Sequence, residues 1–369
     1  QKISLLGEDG YSFFEVVTNV ELGEKNSVNF FNTDFQLNKD FRPITASANG
    51  SLNANLYFAG YGLDIHSDSL KWSDYPTTFN INRMWVVVIR SAPNADKPNS
   101  KYAAYASDWY KIATAKDKGA KGVILVSPPS LEPKDSLMPL FVDQQAGSAG
   151  IPVINVSRAC IEKMLKNYDI NISSIEQQLN KEMKQTGLFI PMKLTATTDL
   201  KITRGNTQNV VGFIEGSDPK LKNEFIVVGA HYDHLGMGGL GSGSRMPDTL
   251  AIHYGADDNA SGVSTMMEVA ASIKALKAKP KRSLIFVAFG AEELGLVGSK
   301  QFFKDKLVDS KKISAMINLD MVGRMRAEKI LSVGGTGTAT EFESILNTLE
   351  PKSKVKLVRS PDGYGPSDH

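Results

Sequence analysis

The amino-acid sequence predicts an α/β fold: a mostly parallel, doubly wound sheet with helices on both faces, plus a smaller α/β module. Three observations predict it. Short β-branched and aromatic runs bounded by Gly recur at residues 225–230, 284–289 and 315–319, and such runs read as buried strands. Helical patterns fall between them, at about 261–276 and 296–307; strands that alternate with helices form parallel sheets covered on both sides. The chain has 369 residues, more than one ordinary core accommodates, so a second domain is expected.

Taken in order, residues 1–45 open with apolar–polar alternation around Tyr11–Val17 and continue into an Asn-rich stretch, a lead-in of short strands and loops. Residues 46–190 form a separate pattern. The run 55–58 and the central run 84–89 read as strands, 103–118 as a helix, 122–126 and 151–156 as further strands, and 158–167 as a short helix. No cluster of metal-ligating residues lies in this module. A polar stretch, 176–187, reads as the linker to the second domain, 191–369. That domain is expected to begin with strands at 194–202 and 209–214, forming an antiparallel edge before the parallel core. A Gly- and Ser-rich loop, 236–254, lies between two segments with chemical potential and reads as a lid or rim.

Residues able to do chemistry collect where the predicted strands stop. His231-Tyr232-Asp233 follows the first run, Glu292-Glu293 follows the second, and Asp320 ends the third. In open sheets of this kind ligands bind beyond the carboxyl ends of the strands. Each signal has a bland alternative. The H-x-D pattern is common; Asp257-Asp258-Asn259 precedes a helix and reads equally as an N-cap; a lone Asp at a strand end is usually a turn former. Glu292-Glu293 is harder to explain away. Adjacent, partly desolvated carboxylates repel and one pKa must rise, a conflict a divalent metal relieves if one ligates and the other serves as general base. One His with several carboxylates at successive strand ends thus predicts a divalent metal site, and mixed N/O ligation favours zinc. A carboxylate bridging two ions would make it a two-metal hydrolase.

Composition narrows the alternatives. A balance of 42 basic and 40 acidic residues, formally +2, implies no nucleic-acid partner. A single cysteine, Cys160, forms no internal disulfide. No apolar run reaches the roughly 18–20 residues of a membrane span. The first residue is Gln1 rather than Met, which leaves room for a removed upstream segment.

Four ordered motifs, 229–233 (GAHYD), 255–262 (GADDNASG), 291–295 (AEELG) and 318–320 (NLD), resemble the dinuclear-zinc exopeptidases, a family that includes bacterial leucyl aminopeptidases, glutamate carboxypeptidase, glutaminyl cyclases and the non-catalytic transferrin receptor. The resemblance covers about residues 194–369, and the module at 46–190 looks like the protease-associated domain often inserted in this family. It implies the zinc exopeptidase fold, two Zn2+ ions, a peptide substrate and an exported protein. It implies that His231 and Asp320 ligate one zinc, that Asp258 rather than Asp257 bridges, that Glu293 ligates the other zinc, that Glu292 is the general base, and that Asp233 orients His231. Tyr364 resembles the tyrosine that polarises the scissile carbonyl in some aminopeptidases. The family's fifth ligand, a His in a later loop, has no counterpart before His369, so the sequence reads as a fragment of a longer chain. Hydrolysis from the amino end is the expected activity. A carboxypeptidase would need a basic cluster, for which only Arg245 and Arg324 are candidates. A glutaminyl cyclase normally lacks the inserted module, and a decayed receptor-like site would have lost its ligands.

Overall fold

The computed structural model describes residues 4–142, 147–183, 186–363, 365, 367 and 368. It divides into two compact units, one of residues 17–203 and one of residues 1–16 with 204–369.

The 17–203 unit is built on an eight-stranded sheet. Its centre is the strand Trp85–Ile89, buried at every position. This strand runs parallel to Gly50–Phe58 on one side and Gly122–Val126 on the other. Alternate side chains of a strand point to opposite faces, so Trp85, Val87 and Ile89 enter one core while Val86 and Val88 enter another. The helix Asp108–Asp117 covers the second face through Ile112 and Ala115. The helices Arg158–Met164 and Ile172–Glu182 cover the first, through Ile161, Met164, Ile172 and Leu179.

Three expectations give way. The stretch 176–187 does not begin as a linker, because the helix Ile172–Glu182 occupies its first part. The Asn171 side chain accepts from Ser174 N, a capping bond, and Ile172, Ile175 and Leu179 pack on the core. The strand expected at 194–202 is Leu188–Thr198, which pairs antiparallel with Gly50–Phe58 and Ser27–Phe30 and so belongs to this unit's sheet. Residues 1–45 are shared between the units rather than forming one lead-in.

In the other unit, β1 (Leu200–Ile214, its first residues still in the neighbouring unit), β2 (Phe225–His231), β3 (Ser283–Phe289) and β4 (Ile313–Asn318) lie in one sheet, spatially ordered β1-β3-β2-β4. The strand β2 is parallel to both neighbours, and β1 is antiparallel to β3. The antiparallel part of the sheet therefore begins at β1, which Ser4–Leu5 flanks on its other side. Helix α1 (Gly262–Ala275) packs Met266 and Ala270 against Val228, Ala230 and Phe286 on one face. Helix α2 (Val297–Lys304) packs Phe302 against Val227, Ile285 and Phe289 on the other. Because β2, β3 and β4 are parallel, their carboxyl ends lie along one edge of the sheet, and the residues that follow each strand gather there.

Candidate metal centre

His231 is the last residue of β2 and is buried, with 1% of its surface exposed. Its Nδ1 lies 3.1 Å from the backbone oxygen of Asp233. That contact fixes the ring so that Nε2 points to Asp258 Oδ1 at 3.1 Å, Asp320 Oδ1 at 3.5 Å and Glu292 Oε2 at 3.9 Å. The Asp233 carboxylate has a different task from the orienting one expected of it. It accepts from Glu292 N at 2.9 Å and Glu293 N at 3.1 Å, so it caps the turn that presents both glutamates and stands 3.8 Å from His231 Nδ1. The carbonyl, not the carboxylate, orients the imidazole.

The Glu292-Glu293 turn is reached from β3 through Gly290 and Ala291. Buried Asn209 of β1 braces it: Gly290 N donates to Asn209 Oδ1 at 3.1 Å, and Asn209 Nδ2 donates to the Gly298 carbonyl at 2.9 Å. Asp258 sits on the tight segment Ala256–Ser261 that leads into α1, and the Asp258–Asn259 peptide is cis. Neighbouring Asp257 is spent on structure, its Oδ1 accepting from Gly323 N at 3.0 Å. Buried Asn259 ties the helix start to the end of β4: its Nδ2 donates to the Leu319 carbonyl at 2.9 Å, and its Oδ1 accepts from Gly262 N at 3.0 Å and Met321 N at 3.2 Å. Gly262 is required by this close approach, since a Cβ there would stand 2.2 Å from the Leu319 carbonyl oxygen.

Asp320 follows β4, and its Oδ2 accepts from Ser367 Oγ at 2.7 Å. Asp368, buried at 4% exposure, adds a further carboxyl whose charge bears on Glu292. Tyr364 and His369 lie outside the described residues. Arg245 and Arg324 are exposed.

Among the described residues two donor groups result. His231, Glu292 and Asp320 form one, and His234, Asp258 and Glu293 form the other; within each, one ligand atom per residue lies within 4.8 Å of the rest. His234 had no assigned role from sequence. Its Nδ1 is 2.6 Å from Glu293 Oε1 and 3.8 Å from Asp258 Oδ2. Asp258 thus turns one oxygen toward each imidazole.

The electrostatics follow from this crowding. Burial works against a charged His231, yet Asp320, Glu292 and Asp233 outweigh it and push the imidazole up to about 9. Burial raises Glu292 to about 8, opposed by His231 and reinforced by Asp368, Glu293 and Asp320. Glu293 is also raised, by burial and by Asp258, against the pull of His234. Asp320 is lowered by its contact with His231. His231 Nε2 and Asp320 Oδ1 are buried with no hydrogen-bond partner. Buried polar atoms are rarely left so. Orphaned N and O donors converging among repelling carboxylates are what a divalent cation fits.

The sheet and this donor set define an α/β domain with a candidate divalent-metal site at the carboxyl edge of its parallel strands. Residues 209–369 match the model of Peptidase family M28. Similar curated proteins include Aminopeptidase YwaD of Bacillus subtilis (strain 168), 29% identical over 218 residues, a stretch covering 58% of this chain and 37% of that protein. A probable zinc metalloprotease of Pyrenophora teres f. teres (strain 0-1) is 35% identical over 123 residues, 33% of this chain and 24% of that protein. The matches thus span 37% and 24% of these relatives' length. Among solved structures, an aminopeptidase from Aneurinibacillus sp. strain AM-1 superposes with a TM-score of 0.50 at 20% identity, covering 97% of this chain and 70% of that one. It supports the fold.

Proposed function

We propose that this chain carries the catalytic part of a zinc-dependent aminopeptidase that releases residues from the free amino end of peptides. The observation that carries the reading is the pair of donor groups meeting at Asp258, beside a buried Glu292. The names of the relatives, an aminopeptidase and a probable zinc metalloprotease, support it.

In this reading His231, Asp320, Glu293 and Asp258 are the residues that would hold the two zinc ions, with Asp258 shared between the two donor groups. Bound zinc supplies Lewis acidity toward the scissile carbonyl and the attacking water. The chain's own residues do the rest. Asp233 holds the backbone of Glu292 and Glu293 through two N–H bonds, which fixes where the Glu292 carboxylate can reach. Glu292 takes a proton from water as its oxygen attacks the carbonyl carbon, then returns it to the leaving amine as the C–N bond breaks. Tyr364 is assigned, by resemblance, to the carbonyl oxygen. Residues 46–190 are read as a protease-associated domain that shapes substrate access, and the protein as exported.

The test offers one peptide to the zinc-loaded intact protein in free and amino-acetylated forms, with products read by mass. Stepwise loss from the free amino end, blocked by acetylation, is expected. Loss from the carboxyl end, or no cleavage with zinc bound, overturns the aminopeptidase reading. Glu292→Gln is expected to lower turnover by about 10²–10⁴-fold while bound zinc stays at the wild-type level by elemental analysis.

A further inference from the structure

We propose that the 17–203 unit carries a ligand site of its own, a cavity that takes a free α-amino acid with an apolar side chain, its carboxylate on Arg90 and its ammonium on Asp108. The site lies wholly within that unit and stands whether or not the peptidase reading holds.

The sheet puts the cavity where a ligand site is expected. Trp85–Ile89, Gly122–Val126 and Val153–Val156 run parallel, and crevices beyond the carboxyl ends of parallel strands are where such sheets bind ligands. Arg90 follows the first of these strands and Ser127 the second, and Arg90 N donates to the Val126 carbonyl at 2.9 Å. Asp108 and Trp109 open the helix Asp108–Asp117 between those two strands. These four residues line a cavity of about 360 Å³, within the ~300–1,000 Å³ of small-molecule sites.

The far wall is built in advance. Residues 127–152 join the second strand to the third with no helix or strand among those described, and ordered connections of more than ~12–15 residues are usually functional. Buried Arg158 holds the first part, its Nη1 donating to the Ser127 and Glu132 carbonyls at 2.9 and 2.7 Å. Buried Asn155 holds the middle: Met138 N donates to its Oδ1 at 2.7 Å, and its Nδ2 donates to the Leu125 carbonyl at 2.9 Å. Ile44, Trp109, Ile112, Met138 and Phe141 give the cavity apolar walls. Trp109 is 43% exposed, so its ring faces the cavity and solvent rather than a core.

The charges select the ligand. A guanidinium has five N–H groups. In Arg90, Nε donates to both Asp108 oxygens at 3.0 Å, Nη2 to Asp108 Oδ2 at 2.8 Å, and Nη1 to Ser127 Oγ at 3.0 Å. Asp108 thus occupies the side of the fork made by Nε and Nη2. Among the described residues one N–H on each Nη is left, and that end of a guanidinium suits a carboxylate held by two parallel bonds. Asp108 Oδ1 takes fewer of these contacts than Oδ2 and keeps an acceptor position for an ammonium. Arg90 and Asp108 already balance, and Glu132 adds a negative charge to the lining. A carboxylate alone would bring in a charge with no counter-charge, which is unfavourable in a partly enclosed site. A zwitterion adds no net charge, and the apolar walls receive its side chain.

Fluorine NMR of the intact zinc-loaded protein, with its tryptophans fluorinated, tests this. The chain has 3 Trp; Trp72 and Trp85 are core residues, so Trp109 alone reads the cavity. Leucine should shift the Trp109 resonance saturably. N-acetyl-leucine and leucinamide, each lacking one charge, should bind at least about 10-fold more weakly, the cost of one charge-assisted contact. Glycine, with both charges and no side chain, should also bind more weakly. Arg90→Gln should abolish the leucine shift while the Trp72 and Trp85 resonances, which report the fold, stay in place; the ligand series decides the question even where that variant does not fold. No Trp109 shift at millimolar leucine overturns the inference, as does equal binding of leucine and either blocked form. The readout involves no cleavage, so neither result bears on the peptidase reading.

Discussion

Asn259 does more for the site than its position between two candidate ligands suggests. It is 2% exposed and holds three backbone groups from two segments, Gly262 at the start of α1 and Leu319 with Met321 beyond β4. Asn259→Ala leaves those groups buried without partners, at about 1–3 kcal/mol for each that water does not reach. A net loss of about 2–3 kcal/mol is expected, and because Asp258 and Asp320 sit on the two segments it joins, zinc uptake should weaken with it. Urea unfolding and a zinc titration check this together; unchanged zinc affinity at lowered stability would separate the brace from the site. The ligand candidates themselves are legible in the sequence because each lies at or just beyond the end of a short apolar strand, so strand recognition alone sets His231, Glu292, Glu293 and Asp320 along one edge. His234 and Asp368 are not. Their places depend on loop paths, held by Gly255 in one case and by Ser367 against Asp320 beside the other, that no local pattern encodes. Asp233 shows the same limit in another form: its proximity to His231 was readable, but not that two backbone N–H groups would claim its carboxylate.

At the level of elements, legibility followed burial. The runs that are buried along their whole length, such as Trp85–Ile89, Gly122–Val126 and Ser283–Phe289, declare themselves by composition. Elements with one wet face do not. The helix Ile172–Glu182 shows the core only Ile172, Glu176 and Leu179 as fully buried positions, and its Ser, Gln, Asn and Lys residues made it read as a linker. Its spacing of apolar residues, three and then four apart, is the amphipathic signal that the polar content concealed. The strand Leu188–Thr198 was visible as a strand but not as a member of the other sheet, since pairing is decided by the register with Gly50–Phe58 rather than by its own residues. If this helix is a working part of the core, Leu179→Ala should lower the stability of the 17–203 unit by about 2–5 kcal/mol, the range for a buried leucine that leaves a cavity. Proteolysis across 172–203 during mild denaturation reads the effect; a shift below 1 kcal/mol would return the segment to the status of a linker.

For the molecule as a whole, the two compact units hold separate cores, so unfolding need not be a single transition, and a buried charge in one unit should mark that unit's transition. Lys111 is such a charge. It lies in the 17–203 unit, has no exposed surface, and donates from Nζ to the Tyr61 carbonyl at 2.6 Å. Burial lowers its amine to about 7, against the opposing pull of Asp108 and Asp74 and with a smaller push from Arg90. A lysine whose folded pKa lies below its unfolded one binds more protons when unfolded, so its contribution to stability rises with pH between the two values. Other groups titrate in the same range with the opposite sign, Glu292 and His231 among them, which makes the difference between two proteins the informative quantity. Lys111→Met removes the amine and retains most of the volume. From pH 7 to pH 9 the stability of the 17–203 transition in the wild type should gain on the variant by up to about 1.4 kcal/mol per pH unit, the limit for one proton. Urea midpoints at pH 7, 8 and 9 measure it. A constant difference across that range would mean that Lys111 stays charged when folded, and that the Tyr61 carbonyl and the nearby carboxylates compensate its burial in full.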